Sequence, residues 1–262
     1  MSDDIGPILE RWPYGDGPNV RKIVGLDGKE KIQIRVVLEG LHGVVQFDCD
    51  GRADGVRPHG CEFALDHLEQ QVARAREAGG ASEFRLSPEQ AAELFEESFT
   101  TYQRYIILLQ LEDYRRVIRD TARNIRLFRF VHDNAASAED RGRLEKWWPY
   151  IIRIHQTARA MQKLTREDYV GAMRCVNRAR RELDRLAPQD NDVFRSEMER
   201  SLKALGELEK TIEERRPLTE MDVLEREKGE AIRKEDYERA ARLRDEISRL
   251  RKDGTDGEET RT

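Results

Sequence analysis

The side chains whose type and spacing best suit chemistry in this chain are arginines. Arg115, Arg119, Arg123 and Arg126 recur at steps of three and four, as do Arg174, Arg178, Arg181 and Arg185, so each set lies along one flank of a helix. Arg119, Arg123 and Arg126 match Arg174, Arg178 and Arg181 in register. Such a row suits an acidic peptide or a nucleic-acid backbone, because each guanidinium offers a fork of donors to carboxylate or phosphate. The competing reading is pairing with the many Asp and Glu residues of the chain, or a solvated face.

A second cluster runs from Asp48 to Glu62. Asp48, Asp50 and Asp54, with Gly51 and Gly55, faintly resemble a calcium loop, yet Arg52 stands where a third ligand belongs and no glutamate stands at the twelfth position. Cys49, His59 and Cys61 are soft ligands without a visible fourth. The favoured reading is a glycine-rich connector whose aspartates shape turns and whose arginines pair with them. No metal or cofactor is therefore expected. Nor is a catalyst: GxSxG, Walker, HExxH and GxGxxG patterns are all absent. The histidines are scattered, with His155 reading as a packing residue and His132 as favouring a helix C-terminus.

Composition sets the frame for these residues. The chain has 262 residues, 38% of them charged and 7% aromatic, which points to a helix-rich, heavily solvated protein. A net charge of -5 argues against bulk attraction to nucleic acid or anionic membrane and leaves local basic faces open. Three cysteines, odd in number and outside CxxC spacing, fit a reducing cytoplasm. The first residues are acidic where a signal peptide is basic, and no run approaches the roughly 18 apolar residues of a membrane span. A cytoplasmic, soluble protein is expected.

The elements that must carry these side chains follow in order. Residues 1–19 read either as a leader in which Ile5, Ile8, Leu9 and Trp12 cover an apolar surface before Pro13, Gly15, Gly17 and Pro18 end any helix, or as a frayed tail. Between residues 20 and 50, Ile32, Ile34, Val36 and Leu38 alternate with Gln33, Arg35 and Val37, and Val45, Phe47 and Cys49 alternate with Gln46, Asp48 and Asp50. This period of two, broken by turns at Gly28 and at Gly40–Gly43, predicts a three-stranded antiparallel meander with one buried face. Glu62 to Ala78 supplies a covering helix through Leu65, Leu68, Val72 and Ala75, giving a module over 20–80. From Ser87 a helical body is predicted to 216, opened by a capping box at Ser87-Pro88-Glu89-Gln90 and kinked or restarted at Pro149. A helical hairpin over 217–251 and a disordered polar tail over 252–262 complete an α+β, mostly α, chain.

Three segments of the helical part resemble one another: LEDYRRVIR at 111–119, REDYVGAMR at 166–174 and KEDYERAAR at 234–242. The acidic pair suits a helix N-terminus, the tyrosine wedges against the preceding arm, and small residues let two arms approach. Irregular helix-turn-helix repeats resembling tetratricopeptide repeats follow, an architecture that commonly binds other proteins.

The last copy, Glu235-Asp236-Tyr237-Glu238, Ala240-Ala241 and Leu243 to Ile247, closely resembles the UVR motif found in UvrB, in UvrC, and in ClpC-type chaperones and their McsA-type adaptors. The front half, with its WPY leader, DGKEKIQ strand and DGRxDGxRPHG loop, is similar to an uncharacterised group of bacterial UVR-motif proteins. The resemblance implies an interaction hairpin that pairs with a second copy or with a UVR hairpin on another protein. Tyr237, Ala240, Ala241, Leu243, Arg244, Asp245 and Ile247 would form its recognition face. The expectation is a non-enzymatic adaptor or scaffold. The alternatives are a DNA-repair accessory factor using the arginine rows, and a Clp protease or kinase adaptor, although the paired CxxC zinc motifs of McsA-type adaptors are missing here.

Overall fold

The computed structural model describes residues 4–15, 19–77 and 84–259, with side chains as far as Leu250. It divides into two compact units, Met1–Ile212 and Glu213–Thr262. Gly17, Pro18 and Ala78 of the expectations above lie outside the described residues, as do 260–262 of the tail.

The first unit opens with a short helix α1 (Gly6–Arg11) and the meander β1 (Val20–Val24), β2 (Glu30–Leu38) and β3 (Leu41–Asp48), in the order β1-β2-β3. The register pairs Ile32 with Lys22 and Phe47, and Ile34 with Val20 and Val45. Alternation places Ile32, Ile34 and Phe47 towards the core. The expectation of one buried face is incomplete. Gln33 and Arg35, on the opposite face of the central strand, are also buried. They remain polar because they are paired: Gln33 accepts from Arg21 Nη2 at 2.7 Å and donates to Gln46 at 3.0 Å, while Arg35 donates to the Gly43 carbonyl at 3.1 Å and the Trp12 carbonyl at 3.3 Å. Arg21 also stacks over the Trp12 ring at 4.1 Å, so the leader packs by its backbone and a cation–π contact rather than by Ile5, which stays exposed.

Helix α2 (Ala64–Glu77) covers the core face through Leu65, Leu68 and Val72. Long helices α3 (Pro88–Gln110) and α4 (Tyr114–Asn134) follow, then α5 (Ala138–Glu145), α6 (Trp148–Leu164), α7 (Tyr169–Asp184) and α8 (Asp192–Arg215). The Ser87 capping box forms as expected. At Pro149 the chain restarts: α5 ends at Glu145, and proline takes a first-turn position of α6, where its missing N–H costs nothing. Meander, α2, α3, α4 and α6 share one apolar core that includes Ile32, Leu65, Leu94, Leu127 and Ile151. The separate module expected over 20–80 is therefore fused to the helical body. A second core, built on Ala172, Val176, Ala179, Leu183 and Leu205, joins α6, α7 and α8.

The second unit contains α9 (Glu220–Arg233) and α10 (Tyr237–Glu259), which pack on each other as a hairpin. The expected disordered tail is helical as far as Glu259. Extending an existing helix adds one hydrogen bond per residue fixed, whereas a new helix must first nucleate.

The three EDY segments adopt one turn three times. Glu112, Glu167 and Glu235 have φ of 54°, 57° and 59°. The amides of Asp113, Asp168 and Asp236 bond to the carbonyls of Leu108, Lys163 and Ala231 at 2.9, 3.0 and 2.9 Å. The aspartate carboxylates accept from Arg116, Gly171 and Arg239 N–H at 3.2, 2.8 and 3.0 Å. The acidic pair thus does two different jobs. Glutamate, in the left-handed conformation, closes the preceding helix in a Schellman turn, and only aspartate caps the next. Tyrosine wedges inward in the first copy, where Tyr114 is buried; Tyr169 is half-buried and Tyr237 exposed.

Candidate functional site

The first arginine row folds back onto the chain. Arg119 pairs with Asp50, lies 2.9 Å from Asp120 Oδ1 and donates to the Cys49 carbonyl at 2.7 Å. Arg123 reaches Asp66 at 3.4 Å and lies over the Phe63 ring at 3.1 Å; Arg126 pairs with Asp66 and with Glu69 at 3.0 Å. Arg115, Arg119 and Arg126 are exposed and Arg123 is half-buried, so the row is held by pairing rather than by burial. Arg116, off the row, binds Asp50 at 2.8 Å, Glu30 at 2.7 Å and Asp113 at 3.0 Å. These bonds hold the carboxyl of Asp50 well below the usual carboxylate range, with the Arg116 hydrogen bond the largest cause. α4 therefore clamps the connector between β3 and α2.

Beneath the clamp sits a buried ion pair. Arg104, 0% exposed, donates from Nε and Nη2 to Asp120, 1% exposed, at 2.7 and 2.9 Å. Its Nη1 donates to the carbonyls of Asp48 at 3.0 Å and Gly51 at 2.7 Å. Glu97, also buried, accepts from the first amides of α2, Ala64 at 2.7 Å and Leu65 at 3.3 Å, supplying that helix with an N-terminal anion from another element. Burial nonetheless pushes its carboxyl up.

The connector thus takes the turn-and-pairing form. Asp48 binds Lys31 at 2.8 Å, Asp54 binds Arg52 at 3.0 Å, and His59 stacks on His67 at 4.4 Å while contacting Glu93 at 3.1 Å. Among the described residues no three His, Cys, Asp or Glu side chains gather as metal ligands. Cys49, Cys61 and Cys175 are free thiols.

The second row stays outward. Arg174, Arg178 and Arg181 on α7 and Arg185 at its C-cap are all exposed, with Arg178 bound to Glu182 one turn away at 2.8 Å. The register shared with the first row is real, but only the first has a meander and α2 laid against it. His155, on α6, lies 2.8 Å from Thr121 Oγ1; burial, assisted by Arg159, pushes its imidazole down to about 4.

In the C-terminal hairpin, Thr219 and Asp222 form a reciprocal capping box at the start of α9, and Arg239 bridges to Glu227 across the arms at 3.1 Å. Its buried residues are Ala231, Leu243 and Ile247. The expected recognition set therefore splits. Leu243 and Ile247 are interior, Ala240 is half-buried, and Tyr237, Ala241, Arg244 and Asp245 are exposed, the last two paired with each other at 2.8 Å. A stripe drawn on one helix assigns all its apolar members to one partner; pairing of the two arms claims Leu243 and Ile247 first. One residue escaped the sequence reading: Ile232, 51% exposed at the end of α9, flanks the same turn as Tyr237, 68% exposed. Its signal was an isoleucine immediately off the buried stripe.

No helix among the described residues is long and apolar enough to cross a membrane. Neither the curated proteins nor the solved structures provide a match to this chain. The C-terminal hairpin, however, matches a known family: the UvrB/uvrC motif covers residues 219–253.

Proposed function

We propose that this chain is a non-enzymatic interaction protein that docks a partner through the turn end of its UVR hairpin. The observation that carries this reading is the exposed pair Ile232 and Tyr237, within the matched motif and beside the Glu235 turn. An isoleucine and a tyrosine left open on a hairpin whose buried residues are Ala231, Leu243 and Ile247 favour association with another apolar surface, because removing such groups from water is favourable. The preferred partner is another UVR-like hairpin, on a second copy or on a different protein. Affinity is modest, because the contact is small.

Affinity capture on the immobilised full chain tests this, alongside sedimentation of the free chain. The paired substitution Ile232→Asp and Tyr237→Asp changes only exposed side chains, so the fold should survive while captured partners or self-association are lost. Unchanged capture together with unchanged sedimentation sinks the reading.

A second reading rests on α7. The four outward arginines on this helix and its C-cap favour an acidic protein surface or a nucleic-acid backbone, as an accessory factor in DNA repair would require.

A further inference from the structure

The first unit contains a cavity of about 620 Å³ bounded by α3, α4, α5, the start of α6 and α8. That volume lies in the range of small-molecule sites. We propose that it binds a small aromatic carboxylate carrying an N–H or O–H donor on its ring.

Three features specify that class. The walls are aromatic: Tyr102 meets Tyr150 edge-on at 5.9 Å, Trp147 meets Tyr150 edge-on at 6.4 Å, and Phe99 lies parallel to Tyr102 at 6.0 Å. Phe99 and Trp147 remain 54% and 37% exposed, although each has ring neighbours on one side, so a flat ligand inserted between them would cover apolar surface now open to water.

The inner lining offers two unanswered acceptors, the amide oxygen of Asn124 and Oε2 of Glu197. Asn124 is 1% exposed, and its Nδ2 donates to the Ser98 carbonyl at 3.0 Å, whereas its Oδ1 has no hydrogen-bond partner. Buried amide oxygens are nearly always bonded, and a donor on the ligand ring would supply the missing bond.

The charge of the lining selects an anion. Arg143 lies over the Phe95 ring at 4.6 Å and Lys146 near the Trp147 ring at 5.9 Å, with no carboxylate paired to either among the described residues. Glu197, the one carboxylate of the lining, is compensated by Arg200 at 2.8 Å and Arg153 at 3.6 Å. The open cations sit on exposed or half-exposed side chains, the unpaired acceptors on buried ones. A ligand with its carboxylate outward and its donor inward satisfies the cations and Asn124.

Indole-3-acetate has this form and serves as the probe in calorimetric titration of the full chain. A Kd of about 1 mM or tighter is expected for a molecule of its size. Tryptamine, which exchanges the anion for a cation, should bind at least ~10-fold more weakly, and 1-methylindole-3-acetate, which lacks the donor, about fivefold more weakly. Cyclohexylacetate should fail for want of a ring to stack. Arg143→Gln combined with Lys146→Gln should weaken indole-3-acetate about 10-fold, with circular dichroism confirming the fold. Trp147→Phe should retain binding and Trp147→Ala lose it. Absence of binding at about 10 mM, tryptamine binding as tightly as indole-3-acetate, or affinity unchanged by the two glutamine substitutions would each overturn the proposal.

Discussion

Replacing Asp120 by alanine should cost the first unit more stability than any single surface change. In the native structure Arg104 is wholly enclosed, and two of its three nitrogens face the Asp120 carboxylate at 2.7 and 2.9 Å. Alanine leaves that guanidinium buried, charged and bonded only through Nη1 to the Asp48 and Gly51 carbonyls. Removing one partner of a buried pair costs about 3–5 kcal/mol, and two stranded donors at about 1–3 kcal/mol each lead to the same range. That is a large fraction of the roughly 5–15 kcal/mol that holds a typical domain folded. With a urea slope of about 2–3 kcal/mol/M, a loss near 4 kcal/mol lowers the midpoint by about 1.5 M. Trp12, Trp147 and Trp148 all belong to the first unit, so tryptophan fluorescence follows that unit alone. Arg115→Ala, an exposed change on the same helix, is the control and should remain within about 0.5 kcal/mol. Amides of the connector after Asp48 should also exchange faster in the Asp120 variant, because Arg104 ties that backbone to α3. If Asp120→Ala shifts the midpoint no further than Arg115→Ala, the pair does not hold the connector to the body.

Further expectations concern titration, backbone strain and charge. His155 titrates near 4 in the folded chain against an ordinary 6.5, so the folded state resists its protonation. The stability this preserves is complete above about pH 6.5 and falls as pH drops towards 4; His155→Gln should flatten the stability profile across that window, and an identical slope in variant and wild type would contradict it. The depressed carboxyl of Asp50 acts in a lower window, losing its contribution only as pH falls below about 4. Glu112→Gly should raise stability by about 0.5–1 kcal/mol, since the left-handed conformation strains a side chain with a Cβ and glycine adopts it freely; a lower melting temperature would refute that strain. Changing Arg174, Arg178, Arg181 and Arg185 together to glutamine should abolish any retention on single- or double-stranded DNA at low salt, whereas the same change at Arg115 should have little effect. Retention that survives the four substitutions would move the nucleic-acid surface elsewhere.

Much of the candidate site was legible because it rests on local rules. The Ser87 cap, the meander, the restart at Pro149 and the UVR hairpin each arise within a few residues of the signal that announces them. The EDY repeat was legible as a pattern but not in its mechanism. The sequence offered two acids together at a helix start. The backbone separates them, because a Schellman closure requires a positive φ immediately before the next N-cap, and glutamate stands there where glycine is usual.

The fate of the arginines shows where sequence reasoning ends. Their spacing determines that both rows lie on helix flanks, because helical periodicity is a property of the chain alone. Which row is available to a partner depends on what the fold brings against it. Asp50 and Asp66 are far from Arg119 and Arg126 in sequence, yet tertiary packing makes them ion-pair partners, while Arg174 and Arg185 remain exposed. The same division holds in the hairpin. Sequence alone specified two amphipathic arms and a turn; only their pairing decided that Leu243 and Ile247 become interior and that Ile232 and Tyr237 remain outside, because burial is shared among all the surfaces that meet and cannot be read from one helix alone.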